Sequence, residues 1–201
     1  MRHHRSSKIL LKDYIFIDNA FDDYSIDILY KYGKTVEYYQ KQDYKLENIN
    51  LKEFPENIPE HINGNWQGYR SDNLVDINWQ LFENTAQQLA EILFPGINKY
   101  ILLSGYFHVL PYGVLSNNSW WHIDEDILYA GVLYLNPDPL YTSGTTIKIN
   151  TSKTISINYE YNRLVLYKAN LPHKAESGWG TDISDCRLTL NIFIKQINLD
   201  K

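Results

Sequence analysis

His122 and Asp124 stand two positions apart in the run WWHIDED at 120–126, directly ahead of the apolar stretch ILYAGVLYLN at 127–136. In an extended chain that i, i+2 spacing turns both side chains to one face and sends Ile123 to the other. A neutral imidazole and an ionised carboxylate on one face are two ligands for a divalent cation. The same residues also read as a solvated acidic turn, because Glu125 and Asp126 follow at once, and a His-x-Asp pair arises readily by chance. A metal site needs a third ligand from elsewhere. Outside the N-terminal tail and this motif the histidines are His61, His108 and His173. Alone, His173 reads equally as a surface or hydrogen-bonded core histidine. Of the three it fits best, because ANLPHKAESG at 169–178 follows the strand-like run RLVLYKA, where an antiparallel neighbour can carry it back to His122.

Two imidazoles and one carboxylate on one side of a metal leave the opposite positions open, the arrangement of non-haem Fe(II) oxygenases. The vacancies admit a chelating co-substrate and dioxygen. CRLTLNIFIKQI at 186–197 adds a second feature. Strand parity puts Arg187, Thr189, Asn191 and Phe193 on one face and Leu188, Leu190, Ile192 and Ile194 on the other. The polar row faces water or lines a cavity. In a cavity, a guanidinium fork holds a ligand carboxylate bidentately and the Thr189 hydroxyl adds a hydrogen bond; Phe193 on the polar face favours that arrangement.

The elements that must position these groups fall into two halves. KILLKDYIFID at 8–18 reads as a strand, followed by capping residues at 19–23 and a helix over YSIDILYKYG at 24–33. Residues 35–72 are polar and broken by Pro55, Pro59, Gly64 and Gly68, which predicts long irregular connections, and GYRSDNL at 68–74 is a substrate-loop or packing element. INWQLFENTAQQLAEILFPG at 77–96 has helical spacing and closes on Pro95-Gly96. From 99 onward, YILLSGYFHVL, ILYAGVLYLN, TTIKIN, KTISIN, RLVLYKA and CRLTLNIFIKQI are short β-rich runs separated by turn residues. Such repetition argues for a sandwich or barrel. The expectation is a mainly β single domain over 1–201, with a helix-bearing part at 1–98 packed against a double-sheet core at 99–197. His108 in the first of these runs is a further candidate for touching a pocket.

Composition narrows the function. A chain of 201 residues, 21% charged and 14% aromatic with 17 Tyr and 5 Trp, can bury a core of its own. Its formal net charge of −5 offers no field for phosphate backbones or anionic membranes. Cys186 has no partner for a disulfide, and neither a secretory segment nor an apolar run long enough for a bilayer is present. The expectation is a soluble cytoplasmic protein, with no role for the MRHHRSS start.

In order and spacing, HID at 122–124, VLYLN at 132–136, SGTTIKI at 143–149, LPH at 171–173 and RLTL at 187–190 resemble the 2-oxoglutarate and Fe(II)-dependent dioxygenases. The branch is the one that looks like prolyl 4-hydroxylases and related phage and bacterial oxygenases. The match covers roughly residues 100–195, and FIDNAFDD at 16–23 is similar to openings in several such enzymes. The resemblance implies a double-stranded β-helix, or jelly roll, with helices supporting one sheet. It implies Fe(II) held by His122, Asp124 and His173 as the catalytic centre. Arg187 takes the place that binds the 2-oxoglutarate C5 carboxylate, Thr189 completes an Arg-x-Ser/Thr pattern, and the Tyr134 hydroxyl assists the same carboxylate. It also implies O₂ as co-substrate, succinate and CO₂ as products, and a peptide or small molecule as substrate. Related halogenases carry a small residue where Asp124 stands, so its presence points to hydroxylation or another oxidation rather than halogenation. Trp120 and Trp121 would wall the approach to iron. Two other readings are a non-catalytic jelly-roll module binding carbohydrate or protein, and a nucleic-acid demethylase, which the acidic balance opposes. Exposed aromatics would suit a homodimer.

Overall fold

A computed structural model describes residues 12–40, 52–53, 68–95, 99–112, 121–140 and 142–199. In chain order the elements are β1 (Tyr14–Ile17), α1 (Asp23–Gly33), β2 (Tyr39–Gln40), β3 (Lys52–Glu53), β4 (Tyr69–Asn73), α2 (Leu74–Ile77), α3 (Trp79–Leu93) and β5 (Lys99–Leu110). There follow β6 (Tyr129–Tyr134), β7 (Thr145–Lys148), β8 (Thr154–Ile157), β9 (Leu164–Lys168), β10 (His173–Ala175) and β11 (Arg187–Leu199). Eight strands form a large sheet in the order β1-β9-β6-β11-β5-β4-β2-β3, and three form a small one in the order β10-β7-β8.

The central strands of the large sheet, β5, β11, β6 and β9, are buried on both faces, and the two sides have different partners. Phe107, Val109, Leu188, Leu190, Ile192 and Ile194 share one core with Ile26 and Leu29 of α1 and Leu81, Leu89 and Leu93 of α3. Helices α1 and α3 each start on a side-chain cap: Asp22 accepts from the Ser25 N–H at 2.9 Å, and Asn78 accepts from the Leu81 N–H at 3.0 Å. Ala130, Val132, Tyr134, Val165 and Tyr167 face the other way, against Ile147, Ile157, Tyr159 and Trp179. Two facing sheets with helices behind the larger one are the expected jelly roll.

The N-terminal half contributes more than helices. β1 pairs antiparallel with β9 and β4 pairs antiparallel with β5, so residues before 99 extend the large sheet on both sides. Asn162, in the left-handed region at φ 58°, ties the halves together. Its Oδ1 accepts from the Phe21 N–H at 2.9 Å and its Nδ2 donates to the Phe21 carbonyl at 2.7 Å. Part of the segment expected to be irregular at 35–72 is strand: YRSDN has no apolar alternation, and its extended form comes from pairing with β5. The helix expected at 77–96 begins at Trp79, because Asn78 is extended and serves as its cap. His61, Trp120 and residues 8–11 of the first expected strand lie outside the described residues. Among the described residues no helix is long and apolar enough to cross a membrane.

Candidate metal centre

The free edge of β10 recruits the HID motif. The His122 N–H donates to the His173 carbonyl at 3.1 Å and the His173 N–H donates to the His122 carbonyl at 2.9 Å, an antiparallel pair that exchanges both hydrogen bonds. Opposed residues of such a pair project from one face, and the two imidazole centroids are 4.2 Å apart. Two positions on, the Asp124 N–H is fixed to the Ala169 carbonyl at 2.9 Å, and Asp126, at φ 59°, turns the chain toward β6. One ligand atom from each of His122, Asp124 and His173 lies within 4.8 Å of the others. These are the three residues that the sequence suggested as metal ligands, and they could hold one ion between them.

The electrostatics of the cluster suit a cation. The Asp124 Oδ2 is 3.3 Å from the His173 Nε2, yet it is buried and accepts no hydrogen bond. A buried carboxylate oxygen in that condition is costly, and a divalent ion removes the cost. The His173 Nδ1 is 2.9 Å from the Leu171 carbonyl. Since a carbonyl only accepts, Nδ1 carries the proton and Nε2 presents its lone pair to the cluster, the orienting hydrogen bond found behind metal-binding histidines. The Tyr167 ring packs against His173 at 4.5 Å.

On the inner face of the large sheet, strand register lines up the polar row. Arg70 of β4 is opposite His108 of β5, His108 is opposite Thr189 of β11, and Thr189 is opposite Tyr134 of β6. The row therefore faces the inter-sheet space rather than water. Arg187 lies on the same face of β11 and is 1% exposed. Its Nη2 donates to the Gly144 carbonyl at 3.1 Å, while its buried Nε has no acceptor. Burial pulls its pKa below the usual guanidinium value, opposed by Tyr134, Tyr159 and Glu176. The Tyr134 hydroxyl donates to the Thr145 Oγ1 at 2.9 Å, and its ring centre is 5.7 Å from the guanidinium carbon of Arg187. Thr189 also lies on the inner face of the sheet, with its hydroxyl given to the Asn191 Oδ1 at 2.9 Å. An orphaned guanidinium N–H beside two hydroxyls fits an incoming carboxylate.

Several residues of this wall carry no sequence signal. Tyr159 stacks on Tyr134 at 4.2 Å and meets the edge of Trp179 at 4.8 Å. Its hydroxyl accepts from the N–H groups of Leu135 and Asn136 at 3.0 and 2.9 Å and has the Leu188 carbonyl at 2.6 Å. Gly144 allows the chain to pass close by: a Cβ there would collide with the Ile157 carbonyl and come within 2.8 Å of the Tyr134 hydroxyl. His108 is buried on the inner face. Trp121 departs from expectation. The alternation that turns His122 and Asp124 inward turns Trp121 outward, where it is 36% exposed and lies 5.3 Å from the Lys174 ammonium, so it does not wall the metal centre.

Solved structures share this architecture. A Pseudomonas putida prolyl-4-hydroxylase aligns with a TM-score of 0.56 at 13% identity, covering 94% of this chain and 97% of that one. A Trichoplax adhaerens prolyl hydroxylase, solved with a peptide fragment of the hypoxia inducible factor oxygen degradation domain, aligns at 0.60 and 14% identity, covering 94% and 88%. The non-heme alpha-ketoglutarate-dependent carbocyclase of nogalamycin biosynthesis aligns at 0.58 and 10% identity, covering 95% and 84%. No protein-family model and no curated protein matches the sequence. The chain has the jelly-roll fold of 2-oxoglutarate-dependent Fe(II) oxygenases. At these identities the similarity is one of fold, and it is shared by enzymes of different reactions.

Proposed function

We propose that the chain is an Fe(II)- and 2-oxoglutarate-dependent oxygenase that uses O₂ to hydroxylate an unactivated C–H bond of a peptide or small-molecule substrate, releasing succinate and CO₂. One observation carries the reading: two imidazoles and a carboxylate converge within 4.8 Å at the edge of the small sheet, and the inner face of the large sheet holds a buried arginine with an unsatisfied Nε. Either half alone has a bland explanation; together they match one ion and one dicarboxylate.

In this reading His122, Asp124 and His173 hold the metal, and Arg187, Tyr134 and Thr189 receive the distal carboxylate of the co-substrate. Bound iron supplies the redox chemistry that couples decarboxylation of the 2-oxo acid to oxidation of the substrate. The chain supplies position and exclusion. Leu171 fixes the tautomer of His173, Asp124 offsets part of the ion's charge, and Arg187 gives a planar fork in a site without water screening. Tyr134, Tyr159, Tyr167 and Trp179 keep that wall dry. A peptide substrate is supported by the Trichoplax adhaerens relative, which was solved with one.

The test is succinate formation from 2-oxoglutarate under air. It should require added Fe(II) and cease in Asp124→Ala and in His173→Ala, with melting curves establishing that both variants fold. Full turnover by either variant would overturn the ligand assignment.

A further inference from the structure

Strand β6 ends at Tyr134, opposite Thr189 and two residues short of the start of β11 at Arg187, so the arginine lies beyond the reach of that strand's ladder. Side chains take over there. The Leu135 N–H makes a last backbone bond to the Leu188 carbonyl at 3.2 Å, and Asn136 continues the pairing with its amide: Oδ1 accepts from the Leu188 N–H at 2.8 Å and Nδ2 donates to the Cys186 carbonyl at 3.0 Å. The residues on both sides of Arg187 are thereby tied to one side chain. A reversed amide would set donor against donor and carbonyl against carbonyl, so the orientation of Asn136 is fixed by its partners.

Tyr159 closes the clamp. Its hydroxyl is 2.7 Å from the Asn136 Oδ1 and 2.6 Å from the Leu188 carbonyl, and it accepts from the N–H groups of Leu135 and Asn136. The same residue meets the arginine at its other end: the guanidinium carbon of Arg187 lies 5.5 Å from the centre of the Tyr159 ring and 5.7 Å from that of Tyr134, and the two rings are stacked. Base and head of Arg187 are held by one connected set of groups. Asn136 and Tyr159 are both buried, so solvent is not at hand to replace any of these bonds once it is removed. An arginine side chain is rich in rotamers, and a fork that must receive a carboxylate bidentately binds more tightly when that freedom is already lost. Resting on the oxygenase reading above, we infer that Asn136, acting through Tyr159 and the backbone on either side of Arg187, is a positioning residue that makes the co-substrate pocket selective for an acid with a distal carboxylate.

The test uses the full chain with Mn(II) and calorimetry of two acids that share the chelating 2-oxo end: 2-oxoglutarate, and 2-oxopentanoate, which carries a methyl group in place of the distal carboxylate. Asn136→Ala should lower 2-oxoglutarate affinity about tenfold or more, the scale of losing an orienting partner behind a ligand, and leave the affinities for Mn(II) and 2-oxopentanoate unchanged. Tyr159→Phe, which keeps the ring and loses the hydroxyl, should show the same selective loss. In an Arg187→Met background Asn136→Ala should have no further effect on 2-oxoglutarate, because its action passes through the arginine. A general structural role would weaken both acids alike or persist in that background; either result, or an unchanged 2-oxoglutarate affinity, overturns the inference. Should Asn136→Ala not fold, as thermal melting would show, Tyr159→Phe alone and combined with Arg187→Met decides; should the analogue bind too weakly to titrate, the double variant decides. Failure of 2-oxoglutarate to bind the wild-type Mn(II) protein overturns the oxygenase reading and this inference with it. Normal wild-type binding without the selective loss overturns the Asn136 assignment alone.

Discussion

At Arg187 the guanidinium is 1% exposed, gives one N–H to the Gly144 carbonyl and leaves its Nε without an acceptor. A desolvated cation in that state destabilises the unliganded fold and is stabilised by a bidentate carboxylate. Arg187→Met therefore has two effects of opposite sign. Affinity for 2-oxoglutarate should fall about 100-fold or more, the scale of losing one side of a buried charge pair, with metal binding retained. The melting temperature of the metal-free protein should hold or rise, because a well-packed apolar chain replaces an uncompensated ion. Calorimetry and thermal melting check both; a variant that melts far lower and still binds 2-oxoglutarate would show that Arg187 is structural.

At the scale of elements, the site is made by register. One exchanged hydrogen-bond pair between 122 and 173 sets two candidate ligands opposite each other, and the β4-β5-β11-β6 alignment builds the polar row on the inner face of the large sheet. Close approach of the β7–β8 hairpin to Tyr134 depends on Gly144, since any side chain there meets backbone of the facing segment. Gly144→Ala should cost about 1–3 kcal/mol by overpacking and weaken 2-oxoglutarate binding by displacing the Gly144 carbonyl from Arg187. Denaturant unfolding and co-substrate titration measure the two effects, and an unchanged stability would contradict the close approach. Much of this was legible in the sequence. Parity alone separated Arg187 and Thr189 from Leu188 and Leu190, and the i, i+2 spacing put His122 and Asp124 on one face. Arg70 and Tyr159 were not legible: YRSDN is extended because β5 pairs with it, and Tyr159 acquires its role from a turn that stacks it on Tyr134. Trp121 differs from these: its outward direction follows from the same local alternation that turns His122 and Asp124 inward.

For the whole molecule, burial and hydrogen bonding set the pH range of stability. Hydrogen bonds from Arg163, Ser25 and Ser184 lower the pKa values of Asp18, Asp22 and Asp182. Their stabilisation is complete above the ordinary aspartate range and is lost as pH falls through the lowered values; these groups are largely exposed, so the loss is small. Burial raises the phenols of Tyr38, Tyr134, Tyr159 and Tyr167. The unfolded chain releases those protons first, so stability is complete below the ordinary tyrosine value of about 10 and declines as pH rises beyond it. Urea midpoints should be level from about pH 5 to pH 9 with respect to these groups and should fall more steeply on the alkaline side. A midpoint still rising above pH 10 would contradict the burial of the four phenols.

All of the chemistry requires that two imidazoles and a carboxylate from separate segments grip one ion, and that the ion and Arg187 then share one dicarboxylate. Calorimetric titration of 2-oxoglutarate into the protein, with and without one equivalent of Mn(II), measures that coupling directly. The expected result is one-to-one binding that appears only with the metal present and disappears in Asp124→Ala. Binding of 2-oxoglutarate that is indifferent to metal, or Mn(II) affinity that is unchanged in Asp124→Ala, would contradict it.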